Sequence, residues 1–236
     1  MQDGGITTFD HAQVLRGPPG GFHFPARMTA VSLAGGEVAL ISPVPLDGAR
    51  AGRIAELGRV THLLAPNLLH SMYLGAASER YPEARVLAPP GLAAKRPGLR
   101  VDATLDRGLP APLREALEII RLEGAPGMDE YVFFHHGSGT LIVTDLVFNV
   151  VRPQGFWAHL VLTLTGCHAR LASTRTWRLL VKDRAAMARS IERLLALPVR
   201  TLVMAHGDVV RHDTRDRLAE ALRHWLPVRA ALPASS

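Results

Sequence analysis

A single cysteine, Cys167, stands in 236 residues. No internal disulfide can form, and nothing in the chain calls for an oxidising compartment. A thiol nucleophile needs a base beside it; His168 adjoins Cys167 in sequence, but chain neighbours need not face each other, and a structural cysteine is the plainer reading. No apolar run approaches the roughly 20 residues that a membrane-spanning helix needs, and Met1 to Asp10 are polar, so no membrane segment is expected and the protein reads as cytoplasmic. Lysine is nearly missing: of 27 basic residues only Lys95 and Lys182 are lysines. The arginines that make up the net charge of +6 are spread along the whole length. A nucleic-acid surface would show clustered basic residues with interleaved aromatics, so nucleic acid is not an expected partner. The densest group, Arg211, Arg215 and Arg217, is interleaved with Asp213 and Asp216 and reads as a solvated helix face.

What is present is apolar: 47% of the residues are hydrophobic and 20% charged, the balance of a globular chain with a sizeable core. The length suits one domain built on packed sheets. Residues 1–26 read as an N-terminal extension or loop, because Arg16-Gly-Pro-Pro-Gly-Gly-Phe22 is too rich in Gly and Pro for a helix or a central strand. Residues 27–230 read as a single domain and 231–236 as a frayed tail.

Within the domain, Met28 to Leu33 and Val38 to Ser42 predict a β-hairpin around Gly35-Gly36. Asp47 caps an expected helix to Leu57, with Gly58 as its exit. A strand over Val60 to Ala65, a helix over Ser71 to Tyr81 and a strand over Ala84 to Ala88 then give a βαβ rhythm. Tyr131 to Phe134 and Thr140 to Thr144 flank His135-His136-Gly137-Ser138-Gly139 and predict a second hairpin. The stretch from Phe156 to Leu180 reads as mainly helical. Met187, Ile191, Leu194 and Leu195 share one face of a helix from Asp183 to Leu195. Thr201 to Ala205 is a last buried strand, and a terminal helix follows from about Thr214 to Leu226.

Three metal-capable side chains lie just beyond strand ends: His70 after Val60 to Ala65, Asp145 after Thr140 to Thr144, and His206 after Thr201 to Ala205. In layered α/β architectures such strand ends border the ligand crevice. Two imidazoles and a carboxylate suit zinc, iron or manganese, and three protein ligands with an open position describe a catalytic site. Singly, each residue has a blander reading, a backbone hydrogen bond for either histidine or a turn cap for Asp145. His135 and His136 point to opposite faces of an extended chain, so at most one addresses a given site, and turn decoration is the plainer role. Glu130 reads as a solvated position at a strand start in preference to a ligand-orienting group or base. Arg175, Trp177, Arg178 and Lys182 read as a helix with one buried tryptophan in preference to an anion pocket.

Thr144-Asp145-Leu-Val-Phe148 and Met204-Ala205-His206-Gly207, each after a strand and in this order, resemble the metallo-β-lactamase superfamily. The resemblance spans roughly residues 27–208. It is most similar to an uncharacterised, divergent branch through Arg27-Met28-Thr29, Ser42-Pro43-Val44-Pro45, Ala65-Pro66-Asn67 and Phe134-His135. It implies an α/β (α+β) fold, a four-layer αββα sandwich of two mixed sheets between helices. The family's T-H-x-H-x-D-H signature falls on Leu64-Ala65-Pro66-Asn67-Leu68-Leu69-His70, which keeps only the last histidine. The histidine of its T-P-G-H-T turn falls at Met128. By the resemblance one metal site is erased, and His70, Asp145 and His206 remain to hold one divalent ion, zinc first with iron or manganese as alternatives. Asn67, as a weak fourth ligand, and His135 are further candidates.

The resulting expectation is a mononuclear metal-dependent hydrolase acting on a small molecule whose oxygen the ion polarises. The same ligand set also suits non-haem iron. The alternative is a non-catalytic scaffold that keeps the fold and uses its cleft for binding, since a fold does not imply a function. Neither the catalytic groups, the substrate nor the oligomeric state is legible in the sequence.

Overall fold

The computed structural model describes residues 2–3, 5–15 and 22–226. A first sheet takes seven strands in sequence order: β1 (Gln2–Asp3), β2 (Ile6–Leu15), β3 (Phe22–Leu33), β4 (Glu37–Ile41), β5 (Arg59–Leu64), β6 (Arg85–Ala88) and β7 (Ala103–Thr104). The second sheet has the order β11-β10-β9-β8, from β8 (Leu117–Arg121), β9 (Tyr131–His135), β10 (Thr140–Val143) and β11 (Thr201–Met204). Both sheets are mixed. β4 and β5 run parallel, as do β10 and β11, whereas β3–β4 and β9–β10 are the two expected hairpins.

Helices cover the outer faces. On the first sheet lie α1 (Gly48–Leu57), α2 (Leu74–Arg80) and α3 (Leu92–Lys95). The Asp47 carboxylate accepts the N–H of Arg50 at 2.8 Å and so caps α1, and Ile54 is the side chain that α1 buries. After the short α4 (Ala111–Ala116) come α5 (Phe156–Thr165), α6 (Arg175–Leu180), α7 (Arg184–Ala196) and α8 (Thr214–Leu222). Asp183 caps α7, which lays Met187, Ile191 and Leu194 against the second sheet, with Leu195 half-buried beside them.

Period-2 alternation sends each strand's apolar residues to two different cores. Between the sheets, Val31, Ile41, Leu64 and Leu87 of the first meet Leu117, Tyr131, Phe133 and Ile142 of the second. Outside the first sheet, Met28, Leu40, Leu63 and Val86 pack with Ile54 and Leu74. Outside the second, Val132, Phe134, Leu141 and Leu202 pack with Trp177, Ile191, Leu218 and Trp225. Three apolar layers between four layers of elements are the αββα sandwich that the resemblance implies.

The reading of residues 1–26 as an extension or loop is corrected. Ile6–Leu15 forms a ten-residue strand, and Phe22–Ala26 extends β3 toward the N-terminus, with every residue from Ile6 to Leu15 paired to β3. The strand escapes a hydrophobicity reading because backbone ladder bonds hold it near the sheet edge, while Asp10, Ala12 and Val14 stay exposed. The Gly/Pro-rich loop falls mostly on residues 16–21, outside the described residues, as does the tail 231–236. No element is expected between Pro97 and Glu130, yet β7, α4 and β8 lie there. The helical stretch from Phe156 is broken after Thr165 by Gly166 in a left-handed conformation, and Ala172 then bridges Phe148 before α6 begins. Trp177 is buried while Arg175 and Arg178 are exposed, as the plainer reading has it. No helix among the described residues is long and apolar enough to cross a membrane.

Candidate metal centre

Parallel pairing aims the carboxyl ends of β4 and β5, and of β10 and β11, at one crevice. Immediately past those ends stand Ser42, Asn67 and His70 from the first sheet, and Thr144, Asp145 and His206 from the second. Each strand is a buried, rigid arm, and each loop that leaves it is free to turn a polar side chain inward.

His70, Asp145 and His206 converge, with one ligand atom from each lying within 4.8 Å of the others. His70 Nε2 is 3.2 Å from His206 Nε2. Asp145 Oδ2 is 3.3 Å from His70 Nε2, and Asp145 Oδ1 is 3.3 Å from His206 Nε2. For ligands about 2.05 Å from a tetrahedral zinc, the edge between two of them is roughly 3.3 Å. The imidazole–imidazole spacing matches that edge, and with one Asp145 oxygen within 4.8 Å of both nitrogens the three residues could hold one divalent ion. The donor chemistry fits as well, two imidazole nitrogens and a carboxylate.

The outer nitrogens are already engaged. His70 Nδ1 lies 2.7 Å from Ser42 Oγ, and His206 Nδ1 lies 2.7 Å from the Pro25 carbonyl, to which it must donate. A proton on Nδ1 leaves Nε2 of a neutral imidazole as the lone-pair donor, and this backing is a regular feature of metal-ligating histidines. Ser42 reaches His70 from a left-handed backbone conformation, φ 56°, although it precedes Pro43, which disfavours such geometry. Arg27 donates from Nη1 to the carbonyls of Met204 and Gly207 at 2.9 and 2.5 Å, and from Nε to Asp10. The Pro25–Arg27 stretch of β3 thus grips the turn that carries His206.

Asn67 does not present an oxygen to the site. Its Oδ1 accepts the N–H groups of Leu69 and His70, both at 2.8 Å, which shapes the turn that delivers His70. Its Nδ2 donates to Asp145 Oδ2 at 2.7 Å and to Thr144 Oγ1 at 3.1 Å. An amide nitrogen committed to donation is no ligand, so the sequence-based place of Asn67 beside the ion is corrected to a positioning one. His135 is corrected too. It pairs with Thr140 at the hairpin end of β9, the opposite end of the sheet from Asp145, and its Nδ1 meets Ser138 Oγ at 2.8 Å.

Glu130, expected on a solvated strand start, is fully buried. Its carboxylate accepts from the N–H groups of Thr144, Asp145 and Leu146 and from the Thr144 hydroxyl, at 2.8 to 3.3 Å. The loop bearing Asp145 is wound around this group. Sequence carries one signal for it that periodicity ignores, an acid next to a strand whose following residues are all apolar.

Electrostatics follow from burial and neighbours. Burial works against protonated His70, but the Asp145 carboxylate outweighs it and raises the His70 pKa above the ordinary histidine value. Burial opposes ionised Asp145, yet the two imidazoles hold its carboxyl well below the usual carboxylate range. Burial first, and the charge of Asp145 second, push Glu130 up to about 7 against the donors of Thr144. Cys167 is no rival nucleophile: burial pushes its thiol up to about 11, and His168 faces His159 at 2.9 Å.

The sequence matches no protein-family profile and no curated protein. Solved structures do match. A metallo-β-lactamase from Hirschia baltica superposes with a TM-score of 0.62 at 13% identity, over 94% of each chain. The metallo-β-lactamase FIM-1 from Pseudomonas aeruginosa, in its mono-zinc form, gives 0.60 at 15% identity over 94% of this chain and 93% of that one. The flavodiiron core of Flv1 from Synechocystis gives 0.61 at 16% identity, covering 95% of this chain and 59% of that one. The protein has the metallo-β-lactamase fold.

Proposed function

We propose that the protein is a mononuclear metal-dependent hydrolase, with His70, Asp145 and His206 as the ligands of one divalent ion. The observation that carries this reading is the mutual spacing of three inward-facing ligand atoms whose outer nitrogens are already held by Ser42 and Pro25. Bound there, the ion would supply a Lewis acid that polarises a carbonyl or phosphoryl oxygen and lowers the pKa of water. The chain's own contribution is orientation. Asn67 holds the Asp145 carboxylate and Glu130 its backbone N–H, the Pro25 carbonyl fixes the His206 tautomer, Ser42 holds the His70 ring through Nδ1, and Phe24 and Phe148 flank His206 with ring centroids 5.0 and 4.6 Å away.

Zinc is the first choice of ion, supported by the fold neighbour FIM-1 in its mono-zinc form. Iron or manganese is the alternative, and the flavodiiron neighbour keeps iron in view. A single ion is supported by Ala65 and Leu69, which carry no donor atom, and by Met128, whose thioether is a weak one and which is buried in the outer core. The same residues support the second reading, a binding scaffold with a reduced site. The substrate is expected to be a small molecule.

Elemental analysis of protein purified without chelator or affinity-tag metal, beside the variants His70→Ala and His206→Ala, tests the reading. About one equivalent of zinc, iron or manganese, lost in both variants, is the expected result. No metal in the wild-type protein even after reconstitution overturns it and leaves the scaffold.

A further inference from the structure

The three ligand atoms open into a cavity of about 370 Å³, within the usual size of a small-molecule pocket. Its walls are mostly apolar, with Gln13, Ser42 and Tyr73 as the uncharged polar residues among them. Phe24, Phe148 and Val44 line the inside, and Leu69 and Met72 stand at the mouth with 52% and 55% of their surface exposed. Both mouth residues come from the segment that Asn67 folds to deliver His70, so the apolar rim and the ligand are fixed by one local structure. Large apolar side chains left exposed at a pocket rim mark a surface that apolar matter covers.

Equally informative is the charge that the cavity lacks. Apart from the ligand trio, no arginine, lysine or carboxylate lines it among the described residues. Arg27, next in sequence to the lining residue Ala26, and Arg50 are committed elsewhere: Arg27 to Asp10 and two carbonyls, and Arg50 to Asp47 and the carbonyls of Pro45 and Asp10. They border neighbouring clefts on the other side of the Phe24–Arg27 stretch. A phosphate or carboxylate held among Phe24, Phe148 and Met72, away from the ligand trio, would lose its hydration without gaining a cationic side chain, a cost that favours a neutral group there.

We propose that this site takes an uncharged ester, thioester or amide whose apolar acyl or alkyl group packs against Phe24, Phe148 and Met72, and that it discriminates against phosphoesters and against substrates carrying a carboxylate. The proposal names the substrate class of the hydrolase reading and rests on that reading for its catalytic half. Its recognition half is a property of the cavity alone.

A matched pair of probes separates the two: hexanamide, uncharged, and adipic acid monoamide, the same chain ending in a carboxylate. Both are titrated by calorimetry and by amide NMR into the metal-free and the zinc-loaded full chain. Hexanamide binding at least ~10-fold tighter to the metal-free chain, with shifts at Met72 and Phe148, is expected; in the zinc-loaded chain the carboxylate can ligate the ion, and the preference there is expected to be smaller. Leu69→Lys and Met72→Lys, made at exposed positions that the core does not use, narrow or reverse the preference. Equal or tighter binding of the carboxylate probe to the metal-free chain, or shifts at Met72 and Phe148 with neither probe, overturns the recognition proposal. Hydrolysis of p-nitrophenyl hexanoate by the zinc-loaded chain is read in parallel; its absence while hexanamide binds removes the hydrolase reading and leaves the recognition intact.

Discussion

The Glu130 carboxylate accepts the backbone N–H of Asp145 at 3.1 Å, so a fully buried acid immediately before the second hairpin holds the candidate ligand that follows it. It also takes the N–H groups of Thr144 and Leu146 and the Thr144 hydroxyl, and Thr144 in turn accepts from Asn67. Asn67, Thr144 and Glu130 form one hydrogen-bonded frame across the two sheets.

Removing the centre of that frame is costly. Glu130→Ala leaves buried N–H donors without an acceptor and is expected to destabilise the protein by about 2–4 kcal/mol, while Glu130→Gln keeps one oxygen and loses less. Because folding raises the Glu130 pKa to about 7 from 4.5, its contribution is complete below about pH 4.5 and lost as pH rises through about 7. Urea titrations of metal-free protein between about pH 5 and pH 8 check this: Glu130→Gln flattens the decline seen in the wild type, and an unchanged slope refutes it.

Metal affinity is expected to rise with pH. The raised pKa of His70 means that its proton stabilises the metal-free site fully below about 6.5 and ceases to do so as pH rises through the raised value. That proton competes with the ion for Nε2. Asp145, depressed by the imidazoles, contributes above its unfolded value of 3.8 and loses the contribution as pH falls. Competition with a chromophoric chelator is expected to give affinity that climbs across the His70 titration and then levels; affinity independent of pH would count against the ligand assignment.

Ser42→Ala removes the oxygen 2.7 Å from His70 Nδ1 and frees the ring to rotate. Loss of such a backing group is expected to weaken metal binding by about 10–100-fold. Because the substitution also relieves nothing in the core, thermal denaturation of the metal-free variant should stay close to that of the wild type.

Gly207→Ala is expected to displace His206. The backbone there has φ 109°, and a Cβ would lie 2.2 Å from the carbonyl oxygen of Asn149, whose N–H bonds the His206 carbonyl at 3.0 Å. Backbone against backbone gives no room for a side chain to yield, so a loss of about 2–4 kcal/mol is expected, together with loss of bound metal. Wild-type melting and full metal content in this variant would show that the turn adapts.

The sequence by itself determined the hairpins, the capped helices α1 and α7, and the placement of His70, Asp145 and His206 just past strand ends, because each depends on local patterning: alternation, a capping Asp, and a polar residue just beyond a buried strand. The strand Ile6–Leu15 was illegible, since among the described residues it buries only Ile6, Thr7 and Phe9 while Asp10, Ala12 and Val14 stay exposed, and ladder pairing to β3 along its whole length holds the rest. The roles of Pro25, Ser42, Asn67 and Glu130 were decided by tertiary structure alone. A carbonyl that orients His206 from 181 positions away, or a carboxylate that collects the donors of a loop on another strand, leaves no periodicity in the chain. Only the folding of two sheets face to face brings those partners within hydrogen-bond reach.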